Sequence, residues 1–252
     1  DLERLSTEDG VALLKSLQVK GLQKELETAV EAYGGHALAL VLLGKLLAEF
    51  FEGDVNQHER LPVLQEKEGQ HAERVMRFYD KFWIEERKLT FWQKFGLTKQ
   101  TLTPEQIFLR LLGMFDRPMD AKALDALLKK AEFARPLADL STKKRNRMLI
   151  NLRKMALLLE KNQLTDNAPN KEHHVPFHSP FSTINSQLNY DTHPLIRTYF
   201  GDQFQKQNPS AWKQAHLILF EYFQTVPEKH QPDTVEELEP LYRAVVHGCL
   251  AG

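Results

Sequence analysis

Residues 37–51 are the feature that most constrains the fold, because apolar side chains cover nearly every side of this segment. Its longest uninterrupted apolar run ends before Lys45, far short of the roughly 20 residues that a membrane-spanning helix needs. A helix that is apolar on all sides is stable only where other elements enclose it. The sequence therefore predicts a buried central helix inside a helical bundle, and it predicts no membrane partner.

Helical periodicity extends through the rest of the chain. The 12 Gly and 12 Pro residues lie mostly between segments whose apolar residues recur every three or four positions. The clearest helix start combines Thr103, Pro104 and Gln106, which fit a capping box with proline at the first helical position. The predicted fold class is mainly α: a helical bundle, then a winged-helix domain with a small β wing, and then a helical hairpin.

The order of these segments predicts three domains. Residues 1–102 are predicted to form a helical domain. Residues 103–207 are predicted to form a winged-helix domain, because three short helices precede a hairpin expected within residues 164–191. Residues 208–252 are predicted to form two helices packed as a hairpin, as at the start of a longer helical array.

The last predicted helix contains a proline. Pro240 leaves two alternatives open: the helix begins at Glu239, or the first turn after the capping box at Thr234 is irregular. The residues that the pattern predicts to be buried on this helix are Leu238, Leu241, Tyr242, Val245 and Val246.

Composition limits the classes of function. With 33 basic and 34 acidic side chains, the net charge of -1 argues against bulk electrostatic binding to nucleic acid. Cys249 is the only cysteine, so an intrachain disulfide and a multi-cysteine metal site are both excluded. This cysteine usage indicates a reducing compartment, and we expect a cytoplasmic location.

The sequence holds no recognisable catalytic motif. The phosphate-binding P-loop, the dinucleotide-binding glycine motif, the serine hydrolase elbow and the zinc protease motif are all missing, so we expect no enzymatic activity. His173, His174 and His178 lie close enough in sequence to bind zinc, but a solvated loop is the simpler interpretation. His247 and Cys249 are two positions apart on a helix and therefore point apart, so Cys249 is expected to be a buried structural cysteine. We expect no metal site and no catalytic residue.

The predicted helix at residues 141–161 is strongly basic. It fits two interpretations, a recognition helix in the major groove of DNA or a solvated helix whose apolar face packs within the protein. Packing is the preferred interpretation, and nucleic acid is not expected to be a partner. The basic residues of this segment are Lys143, Lys144, Arg145, Arg147, Arg153, Lys154 and Lys161.

Three segments resemble, in this order, a known nucleotide-dependent switch module. Residues 33–40 are similar to the G-x-P-L-A-L segment in the helical domain of the STAND class of signal-transduction ATPases, which includes NB-ARC and NACHT-like proteins. Ala37 stands at the position of the proline. Residues 111–118 are similar to the opening of the winged-helix domain in bacterial members of that class. Residues 191–200 are similar to the segment that carries its nucleotide-sensing histidine, the counterpart of the M-H-D motif.

The resemblance implies that this chain is the C-terminal half of the switch module, followed by the start of a TPR-like sensor. It implies that His193 senses the nucleotide and that Gly35, His36 and Ala37 lie against it. The nucleotide, ADP or ATP, would be shared with an upstream P-loop domain that carries the ATPase motifs, and this chain would close over ADP. The other implied partners are the downstream sensor repeats and further copies of the protein on activation.

Two alternatives stay open besides this regulatory role. In the first alternative, the chain is a winged-helix transcription regulator that binds DNA through residues 141–161. In the second, it is a helical scaffold that binds a protein partner through residues 212–246.

Overall fold

The computed structural model describes residues 4–61, 70–86, 102–159, 189–227 and 233–252. Within these ranges the chain is mainly helical and forms one two-stranded sheet. Among the same residues, the helices are all too short or too polar to cross a lipid bilayer.

The first part of the chain packs around a central helix, as the apolar pattern predicts. Its elements are α1 (Thr7–Ser16), α2 (Gln23–Ala32), α3 (Ala37–Phe50), a 3-10 helix (Val55–Arg60) and α4 (Gln70–Glu86). Helix α3 contacts α1, α4 and the 3-10 helix, which together enclose its apolar surface. The prediction of a buried central helix is confirmed by six completely buried side chains: Ala39, Leu40, Leu42, Leu43, Leu46 and Leu47.

The second part combines three longer helices with the small sheet. Its elements are α5 (Pro104–Leu112), β1 (Met119–Asp120), α6 (Ala121–Lys130), a 3-10 helix (Glu132–Ala134), α7 (Arg135–Ala138), α8 (Thr142–Lys154) and β2 (Asn189–Tyr190). The capping box before α5 is confirmed: the Gln106 amide donates to Thr103 Oγ1, and the Thr103 amide donates to Gln106 Oε1.

Strand β2 pairs with β1, the strand that directly precedes α6. The two strands are antiparallel, with Met119 opposite Tyr190 and Asp120 opposite Asn189. Most of the hairpin predicted within residues 164–191 lies outside the described residues. The described part therefore shows one short sheet that joins the start of α6 to the segment before the next helix.

Helix α8 ends earlier than the sequence predicts. The pattern extends it to Lys161, whereas the structure ends it at Lys154, with Met155 as the C-cap. Ala156 adopts a left-handed backbone conformation with φ of 55°, and the Leu157 amide closes the end by donating to the Leu152 carbonyl. This turn is usually made by glycine. Because an alanine makes it here, the sequence carries no signal for the end of the helix.

The last part contains three helices: α9 (Pro194–Gln207), α10 (Pro209–Thr225) and α11 (Val235–Ala251). Helices α10 and α11 pack against each other along their length. Helix α11 begins at Val235 behind the Thr234 cap and runs through Pro240, so the alternative start at Glu239 is wrong.

The buried face of α11 also differs from the prediction. Tyr242, Val245 and Val246 are more than half exposed, whereas Ala244 and His247 are buried against α10. A Cβ atom added at Gly248 would lie 3.0 Å from the ring of Phe220, so small residues let the two helices approach closely. The periodicity of the sequence predicts an apolar stripe on α11. The contact with α10 is made instead by the neighbouring stripe of Ala244, His247 and Gly248.

Helix α9 is held at its middle and at its C-terminal end. A Cβ atom at Gly201 would lie 2.5 Å from the carbonyl oxygen of Gly113, so the backbones of α9 and α5 touch. At the end of α9, the buried Arg110 of α5 donates to Gln207 Oε1 at 2.9 Å. Arg110 also donates to both carboxylate oxygens of Asp80 on α4, at 3.1 and 3.2 Å. These contacts fix the position of α9 and of the residue that precedes it, His193.

Candidate functional site

His36 and His193 occupy equivalent positions at the starts of two helices. His36 is the N-cap of α3, where its Nδ1 accepts a hydrogen bond from the Ala39 amide at 3.3 Å. His193 is the N-cap of α9, where its Nδ1 accepts from the Leu195 amide at 3.2 Å. Both histidines that the resemblance implicates are therefore capping residues.

The capping bonds determine which ring nitrogen carries the proton. Because Nδ1 accepts in both rings, a neutral His36 or His193 carries its proton on Nε2. Each ring then presents an N–H donor at a helix N-terminus, where the helix dipole favours negative charge. The arrangement is suited chemically to an anion such as a phosphate group.

The charge of His36 acts on the His193 ring, although 157 positions separate the two residues in the sequence. Burial lowers the pKa of His193, and the nearby His36 lowers it further. A lowered pKa keeps the His193 ring neutral at physiological pH and so preserves the Nε2–H donor. A bound anion would act in the opposite direction, because negative charge favours the imidazolium form.

Gly35 and Ala37 have different roles on the two sides of His36. Gly35 is buried with φ of 65°, and a Cβ atom there would lie 2.5 Å from the Leu5 carbonyl oxygen. The Leu5 amide donates to the Gly35 carbonyl at 2.8 Å, and Arg4 forms a backbone bridge with His36. Gly35 therefore makes the tight turn into α3, and Ala37 is exposed as the first residue of that helix.

Three residues that support His193 were missed as functional candidates. The Thr192 hydroxyl donates to the Leu157 carbonyl at 2.9 Å. Arg197 forms an ion pair with Asp191 and donates to the Thr192 carbonyl at 3.3 Å. These residues lie inside the segment that resembles the histidine motif, and the charges of Asp191 and Arg197, six positions apart, were the available signal.

The basic helix α8 has one exposed stripe, and not all its basic residues belong to it. Arg145 is buried and donates to the carbonyls of Ala138 and Leu140, at 3.3 and 3.1 Å. Lys161 lies outside the described residues. The exposed stripe consists of Thr142, Lys143, Asn146, Arg147, Ile150, Asn151 and Lys154.

The remaining histidine and cysteine candidates do not form a site in the described residues. His173, His174 and His178 lie outside these residues, within which no group of His, Cys, Asp and Glu side chains could hold a metal ion. His247 is buried and lies with its Nδ1 2.8 Å from Nδ1 of His216 on α10. Cys249 is exposed, so the expectation of a buried structural cysteine is wrong.

Neither the known protein-family models nor the curated protein sequences give a match to this chain. The interpretation of the site rests on its own geometry and on the resemblance of the three segments.

Proposed function

We propose that this chain is the regulatory part of an ADP- and ATP-dependent signalling switch, which closes over ADP bound by an upstream P-loop domain. The observation that carries the proposal is that His36 and His193 each cap a helix N-terminus through Nδ1. Both rings use Nδ1 to cap a helix, both keep an Nε2–H donor, and the charge on one affects the other.

The residues at this site fit the chemistry of a nucleotide. His193 would donate to the diphosphate, and the turn of Gly35, His36 and Ala37 would contact the same nucleotide. ADP supplies the negative charge that two imidazole donors and two helix N-termini favour. Loss or exchange of the nucleotide removes this charge, and the part of the chain that holds His193 then separates from the P-loop domain as a rigid body.

The order of elements supports the finer domain assignment within this proposal. Helices α5, α6 and α8, with β1 between the first two and β2 after the third, follow the order of a winged helix. In the proposed switch, residues 103–207 are the winged-helix domain, residues 1–102 the helical domain, and residues 208–252 the start of a TPR-like sensor. The switch is cytoplasmic and self-associates when activated, and the chain alone releases no phosphate from Mg-ATP.

The proposal is tested in a protein that joins this chain to its upstream P-loop domain. His193→Ala removes a hydrogen bond to a charged group worth about 1.5–3 kcal/mol. At about 1.4 kcal/mol per tenfold, we expect ADP retention to fall by about ten- to a hundredfold. The readout is the rate at which bound ADP is lost, together with self-association measured by light scattering.

The matched control is Asn208→Ala. Asn208 also caps a helix that begins with proline, and its Oδ1 accepts from the Ala211 amide at 3.2 Å. This variant loses a cap of the same kind and no proposed nucleotide contact, so ADP retention should not change. Equal ADP retention in His193→Ala and the unmodified protein would contradict the proposal.

The exposed stripe of α8 favours one second candidate function, binding to duplex DNA. Lys143, Arg147 and Lys154 carry positive charge on this stripe, and residues 142–154 contain no acidic residue. The overall charge of -1 argues against it, and we expect no binding to duplex DNA at physiological salt. Tight, salt-dependent binding that Arg147→Glu abolishes and Lys206→Glu preserves would favour this second candidate.

A further inference from the structure

The turn that presents His193 is tied to the end of the α8 segment at two points. The Thr192 hydroxyl donates to the Leu157 carbonyl, and the Leu159 amide donates to the Asp191 carbonyl, both at 2.9 Å. Thr192 is almost completely buried. The two residues before His193 are therefore attached to an element outside α9.

Arg197 ties the same turn to α9 itself. Its Nη2 donates to Asp191 Oδ1 and to the Thr192 carbonyl, and the Thr192 amide also donates to Asp191 Oδ1, at 2.8 Å. The side chain of Arg197 is about nine-tenths buried, whereas that of Asp191 is 37% exposed. The guanidinium group thus closes a ring of hydrogen bonds between the first turn of α9 and the two residues before its cap.

Holding an arginine here costs free energy that an ordinary helix start does not require. Arg197 Nε is buried and has no hydrogen-bond partner among the described residues. An unsatisfied buried N–H group is destabilising. At Asn208 one side-chain bond to a backbone amide holds the helix, and at Thr234 the Glu237 carboxylate also accepts from the Asp233 amide. The buried Arg110 has the same unpaired Nε among the described residues, so Arg197 is distinguished by its reach back across the cap to Asp191 and Thr192.

We infer that Arg197 is a positioning residue: through Asp191 and Thr192 it holds the His193 ring in the orientation that caps α9 and leaves Nε2–H free of the cap. This inference rests on the proposed function, because it concerns the donor that the proposed switch uses. The hydrogen bonds among Arg197, Asp191 and Thr192 determine the direction in which the chain enters the cap. The cap in turn determines which nitrogen of the His193 imidazole stays free. Without these hydrogen bonds, the imidazole is expected to leave the cap and become more solvated.

The test is a pH titration of the His193 ring by NMR in the full chain, with two variants that remove charges of opposite sign. Among the described residues, His36 on α3 is the charged group that acts on this ring, and Asp191 and Arg197 are the charged residues nearest to it along the chain. If Arg197 and Asp191 act on His193 by charge alone, Arg197→Met raises the pKa of His193 and Asp191→Ala lowers it.

Loss of positioning predicts the same direction for both variants. The lowered pKa of His193 arises from burial and from His36, so a ring that leaves the cap shifts toward its ordinary value of 6.5 in either variant. The Leu195 amide, which the cap protects, is expected to exchange with solvent faster in both. Lys206→Met, which removes an exposed ion pair with Asp202 on the same helix, should change neither quantity.

Opposite pKa changes in the two variants, or an unchanged Leu195 exchange rate, would overturn the inference. Amide exchange in α10 shows whether each variant remains folded, and Asp191→Ala decides the question alone if Arg197→Met does not fold. The titrations require no nucleotide, so they are independent of the ADP experiment. If both variants raise the pKa while His193→Ala leaves ADP retention unchanged, the proposed function fails and the positioning role stands.

Discussion

The described residues contain two pairs of histidines, which differ in whether a ring nitrogen stays accessible for a further hydrogen bond. His36 and His193 each accept a hydrogen bond from a backbone amide through Nδ1, which leaves the proton of the neutral ring on Nε2. His216 and His247 bond to each other through Nδ1 inside the α10–α11 contact, where both are buried. The comparison shows that the partner of Nδ1, more than the residue type, separates a histidine that can bind a ligand from one that holds two helices together.

The environment of the buried pair explains its electrostatics. The His247 ring stacks on Phe223, with 5.6 Å between ring centroids, and the His216 ring packs edge-on against Trp212. Burial lowers the pKa of His216 to about 3, with a further contribution from His247. Burial also lowers the pKa of His247, to about 4, and the nearby Asp116 partly offsets this effect.

Of the changes considered, acidification should lower the free energy of unfolding most, and it should act through His216 and His247. Both pKa values are lower in the folded chain than the ordinary 6.5, so unfolding takes up protons and stability is lost as the pH falls below 6.5. At pH 5 the expected loss is about 2 kcal/mol for each ring. Urea unfolding at pH 7 and pH 5 measures it. An equal loss in the double variant His216→Phe/His247→Phe would show that other groups cause it.

Removing one ring of the buried pair should be the next largest effect. His216→Ala leaves a cavity and removes the hydrogen-bond partner of His247, and we expect the free energy of unfolding to fall by about 3 kcal/mol. Urea unfolding at pH 7 measures this change. A loss below about 1 kcal/mol would mean that the α10–α11 contact does not depend on the pair.

The same substitution at the exposed site should cost much less. His193→Ala removes a helix cap, which is worth about 1 kcal/mol, and leaves no buried group without a partner. His193→Asp retains a good capping residue, so its free energy of unfolding should stay close to that of the unmodified chain. If His193→Ala destabilises the chain as strongly as His216→Ala, the distinction between the two pairs fails.

The smallest effect is expected from an anion added to the chain alone. Pyrophosphate at millimolar concentration should raise the pKa of His193, because negative charge favours the imidazolium form. The rings of His216 and His247 should not respond, since their Nδ1 atoms are paired and both rings are buried. NMR titrations of all four rings with pyrophosphate and with chloride as the control make this comparison in one sample. A response of the buried pair equal to that of His193 would contradict it.

The exposed pair was partly predictable from the sequence, and the buried pair was not. His193 stands directly before a proline and an apolar segment, which is a local signal for a helix start. His216 and His247 lie on two helices whose separate patterns say nothing about which rings meet. Their contact depends on the close approach of α10 and α11, which Ala244 and Gly248 permit.

The same physical difference separates the successful and unsuccessful fold predictions. The buried position of α3 follows from its own composition, because no orientation of this helix leaves only polar groups outside. The exposed side of α11 depends on which of two stripes finds a partner, and periodicity does not contain that information. The sequence identifies Arg145 only as one of the basic residues of α8, and its contacts with the carbonyls of Ala138 and Leu140 depend on how the chain folds back before the helix.

The contact between Gly201 and Gly113 has a mechanical consequence for α9. With backbone against backbone at Gly201, the helix cannot slide along α5 without a collision. At a rise of about 1.5 Å per residue, Gly201 lies about 12 Å from His193 and about 9 Å from Gln207. Helix α9 is therefore locked along its axis near the middle, and the hydrogen bonds at Gln207 and at Thr192 hold its two ends.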